Sequence, residues 1–264
     1  MYGIEDYELY VDEYSVEDVR ADLHRIVDYF RAMDYHQHAC KLFLEDTREL
    51  PPTVESEYEV FCVDENTPIG SLPDWMKSES LGFVRGNFIP QSGRCVFPVK
   101  DVLGQVMGFV GWDPTCEPKY LDSKNYGYKA KATTLFGMEK LPEYYMSNEP
   151  VFITEGLMCT VYLRCQGFQA MASLGSWLTP YVIQILKRFG SRLIAIPDND
   201  ETGDKYVRQL KRALPKACVM QVTKGKDIDG CRRLEEHKYE EQLLKDLRGL
   251  SNPFYWTSPL VIRR

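Results

Sequence analysis

Residues 151–156 of this 264-residue chain read VFITEG, a short apolar run that ends in the carboxylate of Glu155. A second apolar run, residues 192–197 (RLIAIP), is followed by Asp198 and Asp200. Both runs have the length and composition of buried β-strands. Between them, residues 178–189 place apolar side chains at three- and four-residue spacing, which predicts a helix. The order strand, helix, strand predicts an α/β fold with a parallel sheet.

The carboxylates after these strands are predicted to form one site. Parallel strands end at the same edge of their sheet, and ligands bind outside that edge. Glu155, Asp198 and Asp200 are therefore expected to converge. Asp227 and Asp229 repeat the two-apart spacing after a third strand-like run. Because clustered carboxylates repel each other and hard cations prefer oxygen ligands, the five acids predict a site for two or more Mg²⁺ or Mn²⁺ ions.

Simpler interpretations of these acids remain open at this point. An Asp-x-Asp pair often does no more than form a turn and cap a helix. A lone Glu155 could lie at a helix N-terminus for electrostatic reasons. A calcium-binding loop that starts at Asp198 is disfavoured, because Thr202 and Gln209 occupy positions where that loop needs oxygen-rich ligands.

The combined motifs resemble a known family. The segments EG at 155–156, ASLG at 172–175, DNDETG at 198–203 and KDID at 226–229 follow the order and spacing of a TOPRIM domain. More narrowly, they are similar to the version found in bacterial-type (DnaG-type) primases. Those primases usually read EGYMD at the first motif, whereas this chain reads EGLMC at residues 155–159. Cys159 therefore stands where the family has an aspartate, and it cannot ligate a hard cation in the same way.

A basic segment precedes this domain. Residues 94–111 contain two strand-like runs around turn residues 101–104, which predicts a β-hairpin. From residue 85 to 131 there are seven basic and four acidic residues, a net charge of +3, with three tyrosines interleaved. Cations and flat rings are what a groove for single-stranded nucleic acid uses. An ordinary solvated hairpin is equally compatible with this composition.

The family resemblance favours the nucleic-acid interpretation. Primases of this type have a similar hairpin, then a Pro-Lys-Tyr-Leu-Asn-Ser segment, and a further lysine four residues before Leu-Tyr-Gly. Lys119 and Lys131 match the family's nucleotide and template contacts. We add the neighbouring basic residues, so that the predicted binding set is Arg94, Lys100, Lys119, Lys129 and Lys131. Trp112 stands where the family has an arginine, which removes one expected phosphate contact.

The resemblance implies a DNA primase catalytic core, which makes short RNA primers from ribonucleoside triphosphates on a single-stranded DNA template. The implied catalytic and metal-binding residues are the five acids Glu155, Asp198, Asp200, Asp227 and Asp229. Two alternative functions are kept, a TOPRIM metal-dependent nuclease and a non-catalytic primase-like binding protein, while a topoisomerase would need a nucleophilic tyrosine on further domains. The chain contains neither a P-loop nor paired cysteines. A replicative helicase, a separate zinc-binding chain, or both are therefore expected as partners.

Composition narrows the remaining expectations. The net charge of −7 comes from the first thirty residues, which contain nine acidic residues and two arginines, so the rest of the chain has no net charge. The eight scattered cysteines have no Cys-x-x-Cys pair, and we expect reduced, mostly buried thiols and no zinc. An acidic N-terminus and the lack of a long apolar run predict a cytoplasmic protein without a membrane anchor.

The expected domain order has four parts. Residues 1–80 are predicted to form an acidic, largely helical region, with helices over residues 15–46. Residues 81–145 form a basic α+β subdomain with the hairpin. Residues 146–232 form the TOPRIM domain. Residues 233–264 contain a helix, expected from residue 232 to 249, and an aromatic tail at residues 253–256.

Overall fold

A computed structural model of the chain describes residues 16–78, 81–123, 133–175, 177–250 and 261–262. The chain divides into two compact units. The first contains residues 1–99 and 105–130, and the second contains residues 100–104 and 131–264. The four-part division predicted from the sequence stays a prediction.

The first unit combines helices with a four-stranded sheet. Its helices are α1 (Val16–Arg31), α2 (Asp34–Cys40), which continues into a π-helical segment (Lys41–Thr47), and α3 (Thr53–Glu57). Short 3₁₀ turns follow at Ile69–Ser71 and Asp74–Lys77. The strands β1 (Phe61–Cys62), β2 (Cys95–Lys100), β3 (Val106–Trp112) and β4 (Tyr120–Asp122) lie side by side in that order. The helical prediction for residues 15–46 is largely confirmed.

The predicted β-hairpin is present. Strands β2 and β3 are neighbours in the sheet. In the turn between them the Gly104 N–H donates to the Asp101 carbonyl at 3.0 Å, and the Leu103 N–H donates to the Asp101 carboxylate at 2.9 Å. Gly104 has a φ of +79°, a conformation that glycine adopts without steric cost. The local sequence therefore fixes the hairpin.

Aromatic side chains fill the core of the first unit. Helix α1 buries one apolar face, whose members Leu23, Ile26 and Phe30 are at most 2% exposed. The ring of Phe30 stacks on that of Phe61 with centroids 5.7 Å apart, and Phe61 meets Phe109 edge-on at 5.3 Å. Such pairs add to the free energy gained by burying apolar area. The apolar face of α1 is thus the surface that covers the sheet.

The second unit is built on a five-stranded parallel sheet with strand order β6-β5-β7-β8-β9. Its strands are β5 (Val151–Thr154), β6 (Gln169–Ala172), β7 (Leu193–Ile196), β8 (Cys218–Met220) and β9 (Val261–Ile262). Its helices are α4 (Leu141–Met146), α5 (Leu157–Cys165), α6 (Pro180–Lys187), α7 (Glu201–Ala213), α8 (Ile228–Arg232) and α9 (Glu240–Leu250), with 3₁₀ turns at Met138–Lys140 and Gly190–Arg192. The predicted α/β class and parallel sheet are confirmed.

Between β5 and β7 the sequence missed one helix and one strand. Between β5 and β7 we predicted a single helix, whereas the structure has α5, β6 and then α6. Residues Leu157–Leu163 of α5 are all buried, so the helix has no polar face to reveal its period. Strand β6 reads QAMA and lacks the β-branched and aromatic residues that usually mark a strand.

The C-terminal helix also differs from its prediction. It begins at Glu240 and not at residue 232, because the chain turns between α8 and α9. Glu235, Glu236 and His237 in that turn have positive φ angles, which are incompatible with a right-handed helix. The aromatic tail at residues 253–256 lies outside the described residues. None of the helices in the described part of the chain is long and apolar enough to span a bilayer.

Candidate metal-binding and catalytic site

Three parallel strands bring four acidic residues to one edge of the sheet. The register pairs Thr154 of β5 with Ile196 of β7, so the chain leaves both strands at the same level. Glu155 follows directly and is only 8% exposed. Its carboxylate Oε1 accepts a hydrogen bond from the backbone N–H of Asp198 at 3.0 Å. The predicted convergence of Glu155 with the Asp198 segment is therefore what the structure shows.

A lysine connects the two aspartates that follow β7. The ammonium of Lys226 lies 3.4 Å from Oδ2 of Asp198 and 3.1 Å from Oδ2 of Asp200. Lys226 comes from the loop after β8, and the neighbouring Asn199 fixes that loop. The Asn199 N–H donates to the Lys226 carbonyl at 2.6 Å, and its side chain donates to the carbonyls of Val222 and Gly225. The loops after β7 and β8 thus form one hydrogen-bonded surface.

Two of the acids also cap helices. Oδ1 of Asp200 accepts from the N–H groups of Thr202 and Gly203 at the start of α7, at 3.0 and 2.9 Å. Asp227 accepts from the Gly230 N–H at the start of α8 at 2.6 Å. The capping interpretation is therefore correct for both residues. It accounts for only one oxygen of Asp200, since Oδ2 faces Lys226, and capping holds that second oxygen in a fixed direction.

Asp229 is placed differently from the other predicted acids. Its side chain is 5% exposed and lies inside α8. Oδ1 accepts from Nε of Arg232 at 3.0 Å and lies 2.9 Å from another nitrogen of the same guanidinium, while Oδ2 lies 3.7 Å from Arg233. Arg232 is itself 1% exposed and stacks on the Tyr162 ring at 4.6 Å. Because its charge is matched by buried arginine, Asp229 stabilises the helix position beside Asp227.

The charges of the cluster act on one another. Burial, together with the charges of Asp198 and Asp200, raises the pKa of Glu155 to about 7, against the hydrogen bond from the Asp198 N–H. Burial also raises the pKa of Asp198, with the charge of Asp227 as the next cause. The hydrogen bond from the Gly203 N–H lowers the pKa of Asp200. The edge of the sheet therefore holds more negative charge than Lys226 can balance.

Gly203 allows the helix after β7 to start close to Asp198. A Cβ atom at this position would lie 1.9 Å from the Asp198 carbonyl oxygen and 2.9 Å from its carbonyl carbon. Both are backbone atoms, so a side chain would displace the segment itself. The glycine in the Asp-x-Asp-x-x-Gly motif is thus required by the close approach of backbone to backbone.

Hydrogen bonds of Thr154 fix the backbone around Glu155. The Thr154 hydroxyl donates to the Gly156 carbonyl at 2.9 Å and lies 2.8 Å from the Thr160 hydroxyl. Cys159, which replaces the family's aspartate, is buried in the first turns of α5 at 4% exposure. A buried thiol at this position packs against the helix and does not extend the acidic surface.

Three residues of the predicted nucleic-acid-binding set lie in or beside the strands of the first sheet. Lys119 is exposed and lies one residue before β4. Arg94 is 6% exposed and donates to the backbone carbonyls of Lys119 and Pro118 at 3.0 and 3.1 Å. Lys100 ends β2 and is half-buried. Arg94 thus holds the segment before β4 that carries Lys119.

Two further positions complete this set. The predicted residues Lys129 and Lys131 lie outside the described residues. Trp112 is fully buried, with its ring against Phe43 and the Arg48 guanidinium 4.3 Å from the ring centroid. A buried tryptophan cannot bind a phosphate as an arginine would. The loss of one phosphate contact at this position, which the sequence predicted, is therefore consistent with the structure.

The oxygen-rich donor set suits a hard divalent cation. Carboxylates are the ligands that Mg²⁺ and Mn²⁺ take, and the Lys226 ammonium already occupies a cation position between Asp198 and Asp200. Sequence reasoning assigned no role to Lys226 or Asn199. Both stand beside the acids within the quoted motifs, and this adjacency is the signal that could have identified them.

Comparisons with known proteins agree with this geometry. The family described as Toprim-like matches residues 152–231. A DNA primase from Deinococcus radiodurans is 34% identical over 117 residues, which are 43% of this chain and 20% of the relative. The DNA primase of Escherichia coli K12 is 35% identical over 127 residues, 46% of this chain and 22% of the relative. The chain therefore matches only about a fifth of the length of these relatives.

Solved structures extend the likeness to most of the chain. A structure of the DnaG catalytic core superposes with a TM-score of 0.70 at 23% identity, covering 88% of this chain and 80% of that one. A DnaG primase catalytic domain bound to single-stranded DNA gives 0.67 at 23% identity, covering 86% and 79%. Residues 152–231 thus form a Toprim-like domain, and the chain has the fold of the DnaG catalytic core. The resemblance stated from the sequence is confirmed.

The role of Gly203 can be tested by substitution. We expect Gly203→Ala to lower the free energy of unfolding by at least about 3 kcal/mol, because the new methyl group overlaps the Asp198 backbone. Urea unfolding measures the change. Gly249→Ala is the matched control in α9, where nothing lies within 4 Å of the added carbon, and it should raise stability by up to about 1 kcal/mol. Equal stability of the two variants would contradict the close approach.

The raised pKa of Glu155 predicts a pH dependence of stability. Its ordinary pKa is 4.5, and in the folded protein it is about 7. Between these values the folded state keeps a proton that the unfolded state has lost, so the carboxyl's contribution to stability falls as pH rises. Glu155→Gln retains an oxygen acceptor for the Asp198 N–H without this penalty. Without added divalent cations, its stability relative to the parent chain should increase by about 2 kcal/mol between about pH 5 and pH 8.

Chemical denaturation at both pH values measures that difference. Glu149→Gln, an exposed position just before β5, is the control and should track the parent chain. If Glu155→Gln also tracks the parent chain at both pH values, the carboxylate is not held in the repulsive, buried environment described above.

Proposed function

We propose that this chain is the catalytic core of a DNA primase, which joins ribonucleoside triphosphates into short RNA primers on single-stranded DNA. The curated relatives that match it are DNA primases, but the match covers about a fifth of their length. The proposal therefore concerns this chain's own site. The observation that supports it most is the contact of Glu155 with the Asp198 backbone beside the Lys226-bridged aspartate pair.

The acids Glu155, Asp198, Asp200 and Asp227 would hold divalent cations, Mg²⁺ or Mn²⁺, with two or more ions per site. Bound cations would neutralise the triphosphate and the charge that develops on the departing pyrophosphate. Asp229 was predicted as a fifth ligand. We now assign it to positioning, because its carboxylate is paired with buried Arg232.

The chain's own residues account for the shape of the site. Capping of α7 and α8 orients the carboxylates of Asp200 and Asp227 before any ligand arrives. Lys226 balances part of the charge while cations are absent, and its flexible stem lets the ammonium turn towards a substrate phosphate once cations bind. Burial of Glu155 excludes water from the inner side of the site.

The template would be bound by its phosphates. Lys119 offers an exposed ammonium, and the Arg94 guanidinium keeps the backbone at Pro118 and Lys119 in place. Phosphate contacts carry no base information, so the sequence preference of this segment should be slight. Lys100, Lys129 and Lys131 remain part of the proposed binding set.

The partners and setting follow from this assignment. A primase core acts on single-stranded DNA in the compartment where replication takes place, here proposed as the cytoplasm. A replicative helicase, a zinc-binding chain, or both would deliver the template. One solved relative is described as containing zinc-binding and RNA polymerase domains of the Aquifex aeolicus primase, and it superposes on this chain with a TM-score of 0.72 at 20% identity.

Primer synthesis tests the catalytic assignment. We expect Asp198→Asn to lower the rate of Mg²⁺-dependent primer synthesis at least about a hundredfold, because it removes a charged ligand at the reacting phosphates. The same change relieves repulsion with Asp227, so stability without added divalent cations should stay equal or rise. Asp204→Asn, an exposed acid in α7, is the control and should keep full activity. Undiminished synthesis by Asp198→Asn would refute the proposed role.

A second assay with the same protein distinguishes primer synthesis from the two alternative functions. Labelled single-stranded DNA incubated with Mg²⁺ and without nucleotides should stay intact. Cleavage that depends on Asp198 would instead assign a nuclease. Template binding with neither synthesis nor cleavage would assign a binding protein.

Template binding tests the basic segment. We expect Lys119→Ala to weaken binding of single-stranded DNA and to reduce the steepness of its log–log salt dependence by about 0.7, the value for one lost phosphate contact. Fluorescence anisotropy over a salt series measures both quantities. Lys216→Ala, an exposed lysine between α7 and β8, should leave binding unchanged. An unchanged salt slope for Lys119→Ala would remove this residue from the template path.

A further inference from the structure

A second group of metal-ligand side chains lies in the first unit. The ligand atoms of His36, Cys40 and Cys62 lie within 4.8 Å of one another. Among the described residues, this is the group of three or more histidine, cysteine or acidic side chains that lies close enough to hold one metal ion. Cys40 Sγ is 3.3 Å from Cys62 Sγ and 3.3 Å from Nδ1 of His36. All three residues are at most 3% exposed. The primase chemistry proposed above uses none of them.

The local fold explains how the group forms. His36 and Cys40 are four residues apart in α2, so their side chains lie on the same face of the helix. Cys62 lies in β1 directly opposite Cys95 of β2 in the antiparallel register. Cys95 is completely buried, and residues directly opposite each other in an antiparallel pair have Cβ atoms about 4.5–5.5 Å apart on the same face of the sheet. A helix face and a cross-strand pair thus supply three sulfurs and one nitrogen.

The histidine is oriented from outside the group. Its Nε2 lies 3.0 Å from Oε1 of Glu55, and Arg31 holds the same oxygen by a hydrogen bond of 2.6 Å. When Nε2 carries the proton that it donates to Glu55, the Nδ1 lone pair points at the cysteines. A carboxylate behind a histidine in this way is the usual outer support of a metal-bound imidazole.

The chemistry of the group suits a bound metal ion. A metal would stabilise the thiolate form of these buried cysteines, because a coordinated thiol loses its proton. The imidazole would ligate in its neutral form through Nδ1, which lies beside Cys40, while Nε2 donates to Glu55.

We propose that His36, Cys40, Cys62 and Cys95 form a structural zinc site that joins α2 to the β1–β2 edge of the first unit. Three cysteines and one histidine are a common ligand set for structural zinc. With sulfur at about 2.3 Å from zinc, tetrahedral geometry separates two sulfurs by about 3.7 Å. The observed 3.3 Å needs an expansion of only a few tenths of an ångström.

An entry path exists on the helix side. A cleft of about 260 Å³ opens beside the group and is lined by His36, Cys40 and Glu55 among others. The expectation of no zinc depended on spacing along the chain, where no two cysteines form a Cys-x-x-Cys pair. The ligands instead combine an i, i+4 pair with a cross-strand pair, and only the fold brings the two pairs together.

Metal analysis of the whole 264-residue chain tests the site directly. Protein purified without chelator and desalted should retain one equivalent of zinc per chain. Replacement by Co²⁺ under reducing conditions should give the visible bands of tetrahedral cobalt together with sulfur-to-cobalt charge transfer in the near ultraviolet. Reduced protein that keeps no zinc and gives no such bands would overturn the proposal. A Cys40–Cys62 disulfide, seen as a mass lower by two hydrogens and as a cross-linked peptide pair, would also overturn it.

Variants assign the ligands. Cys62→Ser and Cys95→Ser should each lose the bound zinc, whereas Cys165→Ser, a half-buried cysteine in the second unit, should keep it. Glu55→Gln keeps all four ligands and should weaken zinc affinity by about 10- to 100-fold in a chelator competition. This variant keeps the test decisive if the cysteine variants fail to fold. Zinc affinity unchanged in Glu55→Gln and zinc retained in Cys62→Ser would contradict the assignment.

Discussion

The hydrogen bond from the Asp198 N–H to Glu155 determines the arrangement of the acidic edge. It joins the ends of β5 and β7, two strands that the parallel register already places at one level. Concentrating carboxylates there is unfavourable in the chain alone, since burial and mutual repulsion both raise the pKa of Glu155 and Asp198. The sheet therefore concentrates negative charge that bound cations would offset in the proposed function.

The surrounding contacts limit that cost. Helix N-termini stabilise the charges of Asp200 and Asp227 through backbone N–H groups, and Lys226 bridges Asp198 and Asp200. Capping occupies Oδ1 of Asp200, while Oδ2 of the same carboxylate faces the Lys226 ammonium. In the proposed function the same contacts would preorganise these carboxylates to receive cations. Asp229 belongs to this support, because it fixes α8 through Arg232.

The sequence was informative where local chemistry decides structure. Alternating breakers and apolar runs identified β5, β7 and the hairpin, and the acids at the strand ends identified the edge. It failed where burial removes periodicity, as in α5 and the short strand β6. It also could not distinguish Asp227 from Asp229, since only the fold shows which one meets a buried arginine. The cysteine cluster was missed for a related reason, because its partners come from separate elements.

Cation binding by the acidic edge can be observed in crystals soaked with Mn²⁺ and measured for anomalous scattering. The account predicts at least one manganese peak bounded by the carboxylates of Glu155, Asp198 and Asp200, with the Lys226 ammonium displaced from its present position. A soaked crystal with no anomalous peak among these three carboxylates, and with Lys226 still bridging the two aspartates, would contradict it.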